Sequence, residues 1–219
     1  MSTSSIYNAL GRNGDRVEIR IEPVSDGFDH LAVLQLRQQV FEREMGIPFD
    51  RRTSADGTTA FHLIARVEST DDPVAALSTV DTTGNHALHQ AYGLRFDANA
   101  RVGRYTQLAV LKPYRGLDIP MMLMLEAHRQ FVAPGLFDHT WLMFDAERAR
   151  SSFLCKMLAF TPGDEVILSE YGGSRALVRD EQTFRCGKAV QLAEQYLERV
   201  VDYFPVIVPA FQLDLASTQ

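Results

Sequence analysis

The sequence predicts an α/β fold, strands and helices built into one domain, and three observations carry that expectation. Arg16 to Pro23 (RVEIRIEP) alternates polar and apolar residues, with Val17, Ile19 and Ile21 on one face of a strand. Arg101 to Val132 reads as a strand, a glycine-containing turn and an almost wholly apolar helix. Taken together, the segments follow the order strand, helix, strand, strand, strand, helix, strand, helix, strand, strand. With 219 residues, 46% of them hydrophobic, the chain can bury a real core in one domain.

Residues 1–14 are polar and are expected to be a flexible N-terminus. After the first strand, Asp26 and Gly27 break the pattern and Asp29 falls in the first turn of a helix, where a negative charge suits the dipole. Ala32, Val33, Leu36 and Val40 mark its buried face, and Gly46 and Pro48 stop it. Phe61–Val67 and Val74–Val80 flank the turn Thr70-Asp71-Asp72-Pro73 and form a hairpin. Residues 82–99 read as irregular. Val102 to Leu111 is the central strand, and the helix after it runs from Ile119-Pro120 to Phe131-Val132 before Pro134-Gly135. Thr140–Phe144 is a short buried strand, Ala149–Leu158 a short helix, and Glu165–Glu170 and Arg175–Arg179 are two strands around a glycine turn. From Ala189 to Phe204 apolar residues recur at helical spacing, which predicts an amphipathic helix packing on the domain or on a second subunit. The expected division is therefore 1–14, a domain over 15–180, and a C-terminal helical extension over 181–219.

Net charge is −6 and the pI is about 5.5, without a basic run, so nucleic acid is not an expected partner. Two cysteines, Cys155 and Cys186, make no disulfide framework and fit a reducing compartment. No apolar run approaches the ~18 residues of a membrane span, and the N-terminus lacks a signal-peptide pattern. A cytoplasmic location is expected. His86 and His89 do not make a metal site.

A strand that breaks into a turn and opens a helix aims backbone N–H groups at one spot, which suits an anion or a polarised carbonyl. The residues there, Arg104-Tyr-Thr-Gln-Leu-Ala-Val-Leu-Lys-Pro-Tyr-Arg-Gly116, resemble the central strand and pyrophosphate loop of the GNAT superfamily of N-acyltransferases. Phe153-Leu-Cys-Lys-Met-Leu-Ala-Phe160 is similar to a later helix of that superfamily that usually ends Leu-Gly-Phe. The match covers about Arg16 to Arg179. It implies a mixed, mostly antiparallel twisted sheet flanked by helices. Arg37-Gln-Gln-Val-Phe41, then Glu44, Gly46, Asp50 and Asp56 before His62, resembles the start of acyl-homoserine lactone synthases and long-chain N-acyl amino acid synthases. The Glu-x-Ser-Arg of their central strand is replaced by Arg104-Tyr-Thr-Gln107, and Trp141 is the only tryptophan.

The resemblance implies an acyltransferase that moves an acyl group from a thioester, acyl-CoA or acyl carrier protein, to the amine of an amino-acid-like small molecule, without a permanently bound cofactor. It places Leu108, Val110, Arg115, Gly116, Leu117, Ile119 and Met121 around the donor. Arginine supplies charge and donors to a phosphate, and glycine lets the backbone approach. Arg37, Phe41, Glu44 and Asp56 would hold the acceptor, Arg37 through a forked pair with its carboxylate. Gln107 and Cys155 take the catalytic positions. Cys155 stands where many such enzymes carry a tyrosine that protonates the leaving thiolate, and it reads either as that acid or as a buried thiol in an enzyme without one. Met121, Met122 and Met124 read as core, with a methionine wall for an acyl chain as the alternative. The competing function is a GNAT-like domain without catalysis that senses an acyl thioester or metabolite.

Overall fold

The structure is a computed structural model and describes residues 4–10, 16–49, 59–132, 134–169, 172–186, 190–195 and 201–204. Its strands are β1 (Ser5–Leu10), β2 (Arg16–Pro23), β3 (Ala60–Val67), β4 (Pro73–Asp81), β5 (Val102–Val110), β6 (His139–Asp145), β7 (Thr161–Ser169), β8 (Gly172–Asp180) and β9 (Val201–Phe204). The helices are α1 (Gly27–Gln38), α2 (His86–Ala91), α3 (Ile119–Ala127), α4 (Phe153–Met157) and α5 (Glu181–Cys186). One nine-stranded sheet runs β7-β8-β6-β5-β4-β3-β2-β1-β9. Every neighbouring pair is antiparallel except β5 and β6. This is the mixed, mostly antiparallel sheet that the resemblance implies.

Helices cover both faces. Asp26 caps α1 by accepting from the Asp29 N–H at 2.9 Å, and Val33, Leu36 and Val40 pack on Ile64, Ala76 and Ala109. On the other face lies α3, whose Ile119 and Met121–Ala127 are all buried. A helix that is apolar all round belongs inside, and here the sheet and the segments at both chain ends enclose it. Both helices continue as wider π turns, α1 over Gln39–Glu44 and α3 over His128–Val132.

Three expectations are corrected. Ser5–Leu10, expected to be flexible, is a strand between β2 and β9. Tyr7 is fully buried, and Ser5 Oγ and Tyr7 Oη donate to the buried Glu126 carboxylate of α3 at 2.7 and 3.0 Å. A buried carboxylate requires donors, and β1 supplies two of them. Second, the C-terminal pattern does not make one helix. Residues 190–195 are helical, but Val201–Phe204 is an edge strand on β1. Valine, tyrosine and phenylalanine favour a strand once an open edge is beside them. Leu192, assigned to the buried stripe, is 53% exposed, while Ala193 is in the core. Third, residues 82–99 contain α2, capped by Asn85.

Candidate active site

Two irregularities of β5 build the site. The β5–β6 pairing covers only Val102–Arg104 against His139–Trp141. Beyond that rung the two strands separate, so the β5–β6 ladder ends at Arg104 and Trp141. On the other side of β5, Ala76 pairs with Ala109 and Ser78 with Thr106, so Leu77 faces both Gln107 and Leu108. That is a bulge, and Gln107 takes φ +53°, a left-handed backbone uncommon outside glycine. Such strain persists only where the surroundings impose it.

Arg37 imposes it. Its side chain is buried, Nε donates to the Gln107 carbonyl at 3.2 Å, and Nη2 donates to Ser78 Oγ at 2.5 Å. Ser78 Oγ also lies in hydrogen-bond contact with His62 Nδ1 at 2.5 Å, which ties His62 to the same group. Burial, with the nearby Arg37 and His30, pushes the His62 pKa down to about 4. Burial also brings Arg37 down to about 10, so it remains charged at neutral pH.

Where β5 and β6 separate, a cavity of about 410 Å³ opens. Its walls come from the π turn after α1 (Phe41), from β4 (Leu77), from β5 (Arg104 to Leu108), from α3 (Pro120, Met124), from β6 (Leu142, Met143, Phe144) and from α4 (Leu154). The wall is mostly apolar, with polar groups only along β5. Tyr105 turns its hydroxyl away, accepting from Arg179 at 3.1 Å, and burial raises its pKa. Arg179 in turn bonds Glu181 at 2.8 Å, and His128 lies 3.1 Å from the same carboxylate. Burial alone raises the Glu181 carboxyl, but the Arg179 charge and the bonds from His128, Thr140 and Arg179 hold it below its ordinary value. This buried network anchors Tyr105 as structure.

Of the residues singled out in the sequence, the cavity unites Gln107, Leu108 and Phe41. Met124 is on its wall, as the methionine-wall alternative has it, whereas Met121 and Ile119 are core. Val110 ends β5, and Arg115, Gly116 and Leu117 lie in the turn beyond it, where Gly116 has φ +97°. The Arg115 guanidinium donates through Nε to the Val110 carbonyl at 2.9 Å and through Nη2 to Glu44 at 2.5 Å. Within the turn, the Arg115 and Leu117 N–H groups bond Lys112 O and Tyr114 O. Cys155, on α4, is half-buried, donates its thiol to the Ala149 carbonyl at 3.1 Å, and is not on the cavity wall. Asp56 lies outside the described residues. Arg104, Thr106, Pro120, Met143, Phe144 and Leu154 are wall residues that sequence reading did not assign. Alternation along β5 puts Arg104 and Thr106 on one face, but nothing in the sequence says where the strands part.

Separated central parallel strands, a bulge at the parting and a strand–turn–helix beyond it decide the architecture. The fold is that of the GNAT acyltransferases. FeeM, an N-acyl amino acid synthase from uncultured soil microbes, superposes with a TM-score of 0.60 at 10% identity, covering 78% of this chain and 94% of that one. BjaI, a CoA-dependent acyl-homoserine lactone synthase, gives 0.58 at 15% identity over 80% and 88%. An acyl-CoA N-acyltransferase from Pseudomonas aeruginosa gives 0.54 at 18% identity over 74% and 99%. No protein-family model and no curated protein matches the chain. No helix among the described residues is long and apolar enough to cross a membrane, and they contain no cluster of metal-ligating side chains.

Proposed function

We propose that this GNAT fold is an N-acyltransferase that moves an acyl group from a thioester donor to the amine of an amino-acid-like small molecule by direct attack. The observation that carries the reading is the edge of β5 that parts from β6 beside the Gln107 bulge and faces an apolar cavity. The amine nitrogen attacks the thioester carbonyl carbon, the C–N bond forms, the C–S bond breaks, and the amine's proton passes to solvent. A main-chain N–H on that edge stabilises the oxyanion that develops on the carbonyl oxygen. Leu142, Phe144, Met124 and Leu154 give the acyl chain an apolar wall. Tyr105 is a poor acid in its buried network, and Cys155 faces the Ala149 carbonyl. A thiol has an ordinary pKa of about 8.5, so the leaving thiolate needs little assistance and takes its proton from water.

For the donor, the turn beyond β5 supports a single phosphate over a pyrophosphate. Two of its N–H groups are engaged within the turn. Pro120 has none, and Glu44 holds the Arg115 charge. A carrier-protein phosphopantetheine asks less of such a turn than coenzyme A. The test follows thiol release from acyl carrier protein and from acyl-CoA with a pool of amines. Release that depends on an amine, faster from a medium- or long-chain acyl carrier protein than from acetyl-CoA, is the expected result. Tight donor binding without release from any donor sinks the enzyme reading in favour of a sensor.

A further inference from the structure

Arg104 is the last residue of β5 to pair with β6, opposite Trp141. Its guanidinium carbon lies 4.7 Å from the Trp141 ring centroid and 5.3 Å from that of Tyr92. Ring contacts of this kind engage the face of the cation and leave its in-plane N–H donors unused. No carboxylate lies within ion-pair distance of Arg104 among the described residues, and its Nε is buried without a hydrogen-bond partner. Arg104 is nonetheless among the residues that line the cavity. A buried donor on a cation is costly to leave unsatisfied, and native proteins rarely do so without a reason.

The surroundings make that vacancy selective. Strand alternation puts Arg104 and Thr106 on the face of the sheet that α1 covers, and Ser78, paired with Thr106, is on that face too. Arg37, bound to Ser78, adds a second guanidinium there, and it too makes no ion pair among the described residues. His62 beside it is neutral. This side of the parting is therefore cationic. A cation, such as a second ammonium on the acceptor, is repelled, while an anion finds a guanidinium placed over two rings.

We propose that Arg104 is the specificity residue for the acceptor: it forks the acceptor's carboxylate, so that amines bearing a carboxylate are taken and their neutral amides are not. The inference rests on the acyl-transfer reading only in calling the ligand an acceptor, since the anion site exists whether or not transfer occurs. Trp141, the only tryptophan, reports on it directly through its contact with Arg104.

The experiment titrates the full chain with N-decanoylglycine and with its primary amide, following tryptophan fluorescence. The acid is expected to give a saturable change and to bind roughly ten-fold or more tightly than the amide. Arg104→Gln is expected to abolish that preference, and Arg104→Lys to restore part of it. Equal affinity for acid and amide in the parent, a preference that survives in Arg104→Gln, or no response to the acid at millimolar concentration would each overturn the proposal. The parent comparison needs no variant to fold. Thiol release is scored separately: transfer without acid preference removes this inference alone, and acid preference without transfer removes the enzyme reading alone.

Discussion

The Arg115 guanidinium and the Glu44 carboxylate are 2.5 Å apart. Sequence reading assigned the first to the donor and the second to the acceptor, but the fold ties them to each other across the turn beyond β5. A phosphate at this turn competes with Glu44 for the same charge. Arg115→Ala is therefore expected to weaken donor binding by roughly ten-fold or more, and Glu44→Gln to strengthen it. Isothermal titration with a non-hydrolysable acyl thioester analogue checks both. Unchanged affinity in Arg115→Ala removes the phosphate role. Because the pair is partly exposed, its coupling in stability is expected to stay below about 1 kcal/mol in a double-mutant cycle.

Arg37→Met keeps much of the side-chain volume and removes the donors to Gln107 O and Ser78 Oγ. The bulge then loses the bond that holds its left-handed residue. Transfer is expected to fall on the order of a hundred-fold, because small misplacements at a reacting centre are costly. The stability loss is expected to be only about 1–3 kcal/mol. Chemical denaturation and initial rates on the same samples separate the two. A variant equally impaired in both would show that Arg37 serves the core alone.

Tyr7→Phe removes one donor from the buried Glu126 carboxylate and leaves the ring in place. A loss of roughly 1.5–3 kcal/mol is expected, as for a hydrogen bond to a charged group. Urea midpoints measure it. A midpoint unmoved by the substitution would mean that the Tyr7 hydroxyl adds nothing to the hold on β1.

His62 titrates near 4 in the folded chain, below the ordinary histidine value of 6.5. The unfolded chain therefore takes up the proton first as pH falls. Stability is full above about pH 6.5 and is lost progressively down to about 4, by up to roughly 3 kcal/mol from this residue. His89, also shifted down, adds to the same window, and Glu181, held low, adds its loss only at more acidic pH. His62→Gln is expected to flatten the thermal midpoint between pH 6.5 and 4.5. An unchanged slope there would remove His62 from the account.

The sequence by itself determined the strands β2 to β8, α1, the apolar α3 and the strand–turn–helix at residues 101–132, because these depend on local periodicity and turn residues. Through the resemblance of their segment it singled out Gln107 and Leu108, which line the cavity. It misread both ends of the chain for one reason. Ser5–Leu10 is held by pairing and by Glu126, and Val201–Phe204 by the edge of β1. β2 is a near neighbour of β1 in sequence, but Glu126 and the β1–β9 pairing lie more than a hundred residues from the segments they hold. The tertiary structure alone decided where β5 leaves β6, that Glu44 meets Arg115, and that Arg104 lines a cavity with no carboxylate at ion-pair distance among the described residues. A residue's pattern fixes which face it takes. What stands opposite that face is set by strands that meet only when the sheet closes, and the chemistry of this site lies in those meetings.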